Sequence, residues 1–290
     1  MSSDPQAEPA PPPTADLAGV DWLSLCRRSV QAQRELFDEV RGIKRRTDYD
    51  GIGVGGDNTL VIDRQAEDAV FAELKTQADG GAAFVAISEE RGEVTFGGGS
   101  DVRVVIDPID GSLNARRMIP SHSLSVAVAD GTSMADVRFG YVYDFGADEE
   151  FIAVAGEGST LGDDRIAVAP ATERLELVGL EAARPEMVLP VVTAMQHVVY
   201  RLRSIGSIAI TAAYVGAGRL DGMVSLRSCR SVDAAAAQLI VREAGGEVTF
   251  GDGELSDASL GLEARYPIAA ASTPRGLEIL RTAQRANPRL

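Results

Sequence analysis

The fold and the chemistry of this chain are decided by the stretch Asp107-Pro108-Ile109-Asp110-Gly111-Ser112, which places two carboxylates at the expected end of a strand. Residues 102–106 precede it and are rich in β-branched side chains, which favour strands. Pro108 fixes its φ angle and cannot donate to a sheet, so the strand is expected to stop at Asp107 and the chain to turn. The turn would bring Asp107 and Asp110 to one edge of the sheet.

The residue types in this stretch favour a metal ion beside a phosphate. Carboxylates next to a freed backbone carbonyl form an all-oxygen site, which suits a hard cation such as Mg²⁺ better than zinc or copper. Gly111 allows a ligand to approach the backbone closely, and the amides at the start of the next helix would favour an anion. The alternative is an ordinary turn with two solvated aspartates, because Asp-Pro and Asp-Gly pairs are common in turns.

Further acidic residues lie at expected element ends. Glu89 and Glu90 follow a predicted strand at residues 83–88, and Asp63 and Glu67 share one face of a predicted helix. Asp233 lies near the start of another helix, where an aspartate ordinarily caps free amides. Solvation and capping are therefore the alternatives to a role in a site.

The composition is that of a globular protein. The chain has 290 residues, of which 45% are hydrophobic and 24% charged, enough for one large α/β domain or two subdomains. Residues 1–16 are rich in proline and are expected to form a disordered tail. The remainder, 17–290, is expected to be a single domain with an antiparallel-sheet half at 17–172 and an α/β half at 173–290.

The charge balance excludes several partners. A net charge of −15 argues against non-specific binding to nucleic acid or to anionic membranes. Lys44 and Lys75 are the only lysines, and an acidic chain poor in lysine suits high salt, although a GC-rich genome also explains an arginine bias. No apolar run is long enough to cross a membrane, and no signal peptide is recognisable, so a cytoplasmic location is expected.

The sequence lacks the usual motifs of several other chemistries. Cys26 and Cys229 are isolated and are interpreted as reduced and buried, while His122 and His197 belong to no zinc motif. Neither the nucleophile elbow of serine esterases nor a P-loop is present.

The order of the elements predicts two sheets. Predicted strands at 124–129, 137–143 and 150–155 form a meander, with Gly97-Gly98-Gly99 expected in an earlier hairpin turn. From about residue 176 strands and helices alternate, which indicates a second, βα-type layer. There Ser207 is expected to cap a helix at 209–215, although the same amides could hold a substrate.

Four separated motifs together resemble the inositol monophosphatase and fructose-1,6-bisphosphatase superfamily. They are Glu89-Glu90, the stretch at 107–112, Asp233, and Glu243-Ala244-Gly245-Gly246, and the resemblance spans about residues 20–285. It implies a layered α-β-α-β-α sandwich, with a large antiparallel sheet and a smaller mixed sheet, in a homodimer. Finer features resemble the archaeal dual-activity branch, namely the segment Gly53 to Asp57, Asn114-Ala115, Ile119-Pro120, Arg227 and Arg230.

The resemblance also implies the metal ligands. Glu89, Asp107 and the backbone carbonyl of Ile109 match the ligands of a first Mg²⁺, and Asp107, Asp110 and Asp233 those of a second. A third, weaker ion would rely on Glu89, giving two to three ions in a site. Paired cations about 3.5–4 Å apart stabilise both the attacking and the leaving oxygen of a displacement, which agrees with this assignment.

The catalytic and substrate residues follow in the same way. Ser112, where the family commonly has threonine, would orient the attacking water, with Asp63 as its acidic partner and Glu89 assisting. Glu90 and Glu67 would support the metal ligands without binding the ions themselves. The remaining matches are substrate contacts: Gly111, Ser112, Gly206, Ser207, Ile208, Arg227 and Arg230. For Arg227 and Arg230 the alternative is a solvated arginine pair.

Some positions differ from the animal inositol phosphatases. Val232 replaces an aromatic residue, Leu226 stands near a position where the family has an inositol-binding carboxylate, and a lysine of the glycine-rich segment is missing. These differences leave inositol specificity open but do not touch the predicted metal ligands.

The sequence therefore predicts Mg²⁺-dependent hydrolysis of a small sugar or polyol phosphate, with fructose 1,6-bisphosphate and inositol 1-phosphate as leading substrates. Two alternatives remain. One is a phosphatase of 3'-phosphoadenosine 5'-phosphate, and the other is a non-enzymatic metal-dependent regulator or RNA-associated protein.

Overall fold

The computed structural model describes residues 16–40, 49–52, 58–182 and 184–288. Residues 1–15 of the predicted tail and the glycine-rich segment at 53–57 lie outside the described part. Among the helices in the described ranges, none combines the length and the apolar character that crossing a membrane requires.

Strands account for much of the described chain. The strands are β1 (Asp16–Leu17), β2 (Val20–Asp21), β3 (Tyr49–Ile52), β4 (Asn58–Leu60), β5 (Phe84–Ser88), β6 (Gly92–Phe96), β7 (Arg103–Asp110), β8 (Ser123–Ala129), β9 (Val137–Asp144), β10 (Glu149–Val154), β11 (Gly158–Leu161), β12 (Asp164–Arg165), β13 (Leu175–Glu181), β14 (Val199–Arg203), β15 (Gly222–Ser225), β16 (Glu247–Phe250) and β17 (Ile268–Ala271). The helices are α1 (Trp22–Glu39), α2 (Val61–Asp79), α3 (Ser112–Arg117), α4 (Pro185–Ala194), α5 (Ile208–Gly216), α6 (Ser231–Glu243) and α7 (Pro274–Gln284).

The large sheet has eight strands in the order β12-β11-β10-β9-β8-β7-β5-β6. Its pairs are antiparallel except for β5 and β7, which run parallel. The predicted large antiparallel sheet is confirmed, with this one parallel pair as an addition. Because β5 and β7 are parallel neighbours, their carboxyl ends meet at one edge, which brings Glu89 beside Asp107.

The second sheet has five strands in the order β14-β13-β15-β17-β16 and is mixed. β13 pairs in parallel with β14 and β15, and β17 pairs antiparallel with β15 and β16. The predicted smaller mixed sheet is therefore confirmed.

The helices form three layers around the two sheets. α1 and α2 pack on one face of the large sheet, α5 and α6 lie between the sheets, and α4 and α7 cover the far face of the small sheet. A Cβ added to Gly140 of β9 would lie 2.6 Å from the carbonyl oxygen of Ala236, so the glycine lets α6 approach the sheet closely. This contact fixes the helix that carries Asp233.

Asp21 caps α1 by accepting a hydrogen bond from the Ser24 backbone N–H at 3.0 Å. Two predictions about local structure are confirmed. Ser207 caps α5 by accepting from the Ile210 backbone N–H at 3.1 Å. Cys26 and Cys229 are buried free thiols.

The prediction that the strand stops at Asp107 is wrong. β7 continues to Asp110, and its pairing shifts from Asp107 opposite Ser125 to Asp110 opposite Ser123. Three steps along β7 match two steps along β8, which defines a bulge with one extra residue. Pro108 lies in this bulge, where a strand tolerates a residue without an N–H.

The glycine triplet at residues 97–99 is not the hairpin turn that was predicted. β5 and β6 pair from Phe84 opposite Phe96 to Ser88 opposite Gly92, so the turn is formed by residues 89–91. The glycines instead begin the connection from β6 to β7. The acidic pair Glu89-Glu90 thus lies in the tight turn itself.

Candidate functional site

Three carboxylates from distant parts of the chain meet at one edge of the large sheet. Glu89 comes from the β5–β6 turn, Asp107 from the bulge of β7 and Asp233 from the first turn of α6. One oxygen of each lies within 4.8 Å of the others. The structure thus brings together three of the predicted metal ligands.

Asp107 is the most buried member of this group, at 5% exposure. Its Oδ1 accepts a hydrogen bond from the backbone N–H of Ile109 at 3.0 Å. Burial, followed by repulsion from Asp110, Glu89 and Asp233, raises the pKa of Asp107 well above its ordinary value. A partly buried group of carboxylates that repel one another fits a hard divalent cation, whose charge would offset the repulsion.

Asp110 is held by the start of α5. Its Oδ2 accepts hydrogen bonds from the Ser207 hydroxyl at 2.5 Å and from the Ala209 backbone N–H at 2.7 Å. Burial raises its pKa to about 6, against the lowering effect of these bonds. Asp110 lines the site but lies outside the group of three carboxylates, so its role as a ligand stays a prediction.

Two adjoining cavities surround the carboxylates. The smaller has a volume of about 160 Å³ and is lined by Asp63, Glu89, Glu90, Asp107, Pro108, Ile109 and Ser112. The larger, about 470 Å³, shares four of these residues and is also lined by Asp110, Gly111, Leu113, Glu181, Ala182, Arg184, Ser204, Gly206, Ile208, Arg227, Arg230 and Asp233. The predicted catalytic residues Asp63 and Ser112 therefore face the same small cavity, and most predicted substrate contacts face the larger one. Ser207 is instead buried at the cap of α5.

Gly111 is required where β7 meets α3. Its φ is +88°, and a Cβ there would lie 3.0 Å from the carbonyl oxygens of Gly206 and Ser121. The Asn114 side chain donates to Ser121 and Ile205 at 2.8 Å, which ties α3 to the segment before α5. The two backbone segments that line the larger cavity thus support each other.

Glu181 is a site residue that the sequence analysis missed. It ends β13, is buried, and accepts hydrogen bonds at 2.9 Å from the backbone N–H groups of Ile205 and Gly206. The Thr211 hydroxyl donates to it at 2.8 Å. Glu181 thereby fixes the segment that leads into α5. Its position after an apolar run, like that of Glu89, is the signal that could have identified it.

Glu67 supports the turn that carries the acidic pair. Its carboxylate is fully buried and accepts from the Ser88 hydroxyl at 2.5 Å and from Arg91 Nε at 3.1 Å. Desolvation raises its pKa. α2 thus presents Asp63 to the small cavity. Four residues later on the same helix, Glu67 holds the β5–β6 turn in place.

The two predicted substrate arginines differ in their surroundings. Arg227 lines the larger cavity, together with Arg184, which the sequence analysis did not single out. Arg230 forms an ion pair with Glu89 and is mostly buried. The alternative of a solvated arginine pair is therefore wrong for Arg230.

The metal-free protein should lose stability as pH rises. Burial and the neighbouring carboxylates Asp110 and Glu89 raise the pKa of Asp233 to about 7, and that of Asp110 is about 6, against 3.8 for an ordinary aspartate. The folded state thus holds more protons than the unfolded state from about pH 4 to 7, and the free energy of unfolding falls across this window. In EDTA the melting temperature should drop by about 5 °C or more from pH 5 to pH 8. Asp233→Asn should flatten this profile, and an equal or higher melting temperature at pH 8 in the parent protein would contradict the account.

Comparison with known proteins agrees with this geometry. The model of the inositol monophosphatase family matches residues 24–287. The chain is 32% identical over 260 residues to the fructose-1,6-bisphosphatase/inositol-1-monophosphatase of Methanothermobacter thermautotrophicus, covering 86% of this chain and 91% of that protein. It is 30% identical to the enzyme of the same name from Thermococcus kodakarensis, covering 92% and 99%.

A solved structure shows the same fold. The crystal structure of an inositol monophosphatase–fructose 1,6-bisphosphatase superposes with a TM-score of 0.79 at 25% identity, covering 91% of this chain and all of that one. The predicted resemblance is confirmed over nearly the whole described chain, and the sequence, the fold and the grouped carboxylates agree. This chain is a member of the inositol monophosphatase family of phosphatases.

Proposed function

We propose that this protein is a Mg²⁺-dependent phosphomonoesterase that hydrolyses a small sugar or polyol phosphate. Fructose 1,6-bisphosphate and inositol 1-phosphate are the leading substrates, in keeping with the names of its relatives. The observation that carries the proposal is the meeting of Glu89, Asp107 and Asp233. Phosphoryl transfer needs positive charge beside the phosphate, and a group of carboxylates can hold the metal ions that supply it.

The residues present fit magnesium. The carboxylates of Glu89, Asp107, Asp110 and Asp233 and the backbone carbonyl of Ile109 offer only oxygen ligands, which magnesium prefers. Two to three ions would be held by this set. When bound, they would supply positive charge for the attacking and leaving oxygens of phosphoryl transfer.

The chain itself would position the water and the phosphate. Ser112 and Asp63 face the same small cavity beside Glu89, so a water in that cavity lies within reach of a hydroxyl and two carboxylates. We assign its orientation to Ser112, whose hydroxyl would accept a proton from the water as it passes its own proton to Asp63. Gly111 allows the phosphate to approach the backbone at the start of α3.

A second phosphate would bind in the larger cavity. Arg227 and Arg184 line it, and guanidinium groups donate in a fork that matches phosphate oxygens. Its volume of about 470 Å³ is in the range of small-molecule sites. These features support a bisphosphate as substrate.

The proposed assembly is a homodimer. Leu113, Met118 and Ile119 lie on α3 or just after it and are 59%, 48% and 48% exposed. Exposed apolar side chains close together favour a contact with another protein surface.

A phosphate-release panel tests the proposed function. Fructose 1,6-bisphosphate, inositol 1-phosphate and 3'-phosphoadenosine 5'-phosphate are each incubated with the protein in Mg²⁺ or in EDTA, at low and at high salt. We expect release from at least one of the first two, and only with Mg²⁺. Release from the nucleotide alone would support the alternative enzyme, and no release from any substrate would support a binding role.

A further inference from the structure

Arg230 joins two parts of the carboxylate group. Its backbone N–H donates to Asp233 Oδ2 at 2.9 Å, which fixes its main chain at the start of α6. Its guanidinium forms an ion pair with Glu89, and the two side chains are 13% and 22% exposed. One residue thus connects α6 to the β5–β6 turn.

Glu89 has two competing uses. Its carboxylate belongs to the group that can hold a metal ion with Asp107 and Asp233, and it is also the partner of Arg230. A guanidinium and a metal ion both neutralise the same negative charge and both take up carboxylate lone pairs. Metal binding at Glu89 must therefore weaken or break the ion pair.

The larger cavity could accept the Arg230 side chain once it leaves Glu89. Arg230 lines the larger cavity, where Arg227 and Arg184 also lie. Its long side chain can change rotamer while its backbone stays bound to Asp233. A phosphate in this cavity would provide the oxygens that Glu89 no longer offers.

We propose that Arg230 is a built-in counter-ion that occupies Glu89 in the metal-free protein and moves to the phosphate of the substrate when metal binds. The inference rests on the proposed metal site and adds a coupling to it. Metal binding makes Arg230 available to phosphate, and by thermodynamic linkage phosphate strengthens metal binding. Arg230 is thus a competitor of the metal for Glu89 and a contact for the substrate phosphate.

The metal affinity of two matched variants tests the competition. Arg230→Gln and Arg227→Gln each remove one positive charge from the same cavity, but only the first removes the partner of Glu89. Titration with Mn²⁺, followed by the electron paramagnetic resonance of the free ion, should show binding about fivefold to tenfold tighter in Arg230→Gln than in Arg227→Gln. Arg230→Lys keeps the competing charge and should stay near the parent protein.

Phosphate affinity tests the movement of the side chain. In saturating Mg²⁺, calorimetric titration with inorganic phosphate should give binding at least about fivefold weaker in Arg230→Gln than in the parent protein. Tighter metal binding with weaker phosphate binding is the expected pair of results, and a merely structural arginine would weaken both. Equal Mn²⁺ affinity in the two glutamine variants, or unchanged phosphate affinity, would overturn the inference. An absence of Mn²⁺ binding in the parent protein would instead overturn the proposed metal site.

Discussion

Replacement of Asp107 by asparagine should abolish turnover without unfolding the protein. A carboxylate oxygen of Asp107 lies within 4.8 Å of one from Glu89 and one from Asp233. Asp107 is the proposed bridging ligand, so the variant would lose the one carboxylate that both ions would share. Substitution of a residue that only hydrogen-bonds to a metal ligand already lowers metal affinity or activity by about 10–100-fold. Removal of a bridging ligand should therefore lower turnover by more than about 100-fold.

The same substitution should not destabilise the metal-free fold. The pKa of Asp107 is raised by burial and by repulsion, so its ionised form opposes folding at neutral pH. Asparagine keeps an oxygen that can accept the hydrogen bond from Ile109 and removes the charge. The melting temperature in EDTA should therefore stay equal or rise by about 2 °C or more.

Phosphate release and scanning fluorimetry in EDTA check both parts of this prediction. Asp101→Asn is the matched control, because Asp101 is an exposed aspartate just before β7. It should leave both quantities near those of the parent protein. Substantial turnover in Asp107→Asn would show that the ion does not depend on this carboxylate, and a large loss of stability would show that Asp107 is mainly structural.

Loss of either Asp63 or Ser112 should lower kcat while metal binding is retained. Both residues line the small cavity but neither belongs to the group of three carboxylates. Asp63→Asn and Ser112→Ala should each reduce kcat by about 100-fold or more, the usual range for a group that assists proton transfer. Because they act on one proton, the double variant should be little worse than either single variant.

Controls separate this dyad from a general disturbance. Ser112→Thr keeps the hydroxyl and should retain most activity, and Asp79→Asn makes the same change at the exposed end of α2. Steady-state kinetics and Mn²⁺ titration are measured for each variant. Near-normal kcat in both Asp63→Asn and Ser112→Ala would remove the dyad from the mechanism.

Much of the site could be predicted from local sequence. Asp107 lies near the end of a strand and Asp233 in the first turn of a helix, and both elements have clear apolar patterns. A carboxylate at such a position can be recognised from the sequence alone. The layers could be predicted as well, because the meander from β8 to β10 and the later alternation of strands and helices have different periods. The resemblance to the family added the order of the motifs and the expected ligands.

The parts that failed depend on contacts between distant segments. Pro108 predicts the end of a strand locally, but pairing with β8 carries β7 through a bulge to Asp110. The pairing of Arg230 with Glu89 joins residues 141 positions apart, and no local pattern indicates it. Glu181 was missed because its partners, Ile205 and Gly206, belong to a segment that only the fold brings beside it.

Anomalous diffraction from crystals soaked with Mn²⁺ and phosphate tests the central claim most directly. We expect Mn²⁺ peaks between Glu89, Asp107 and Asp233, with phosphate beside Gly111 and Ser112 and with the Arg230 side chain no longer paired with Glu89. Peaks only at other acidic residues, or a site in which Arg230 still holds Glu89 and no ion lies at Asp107, would contradict it.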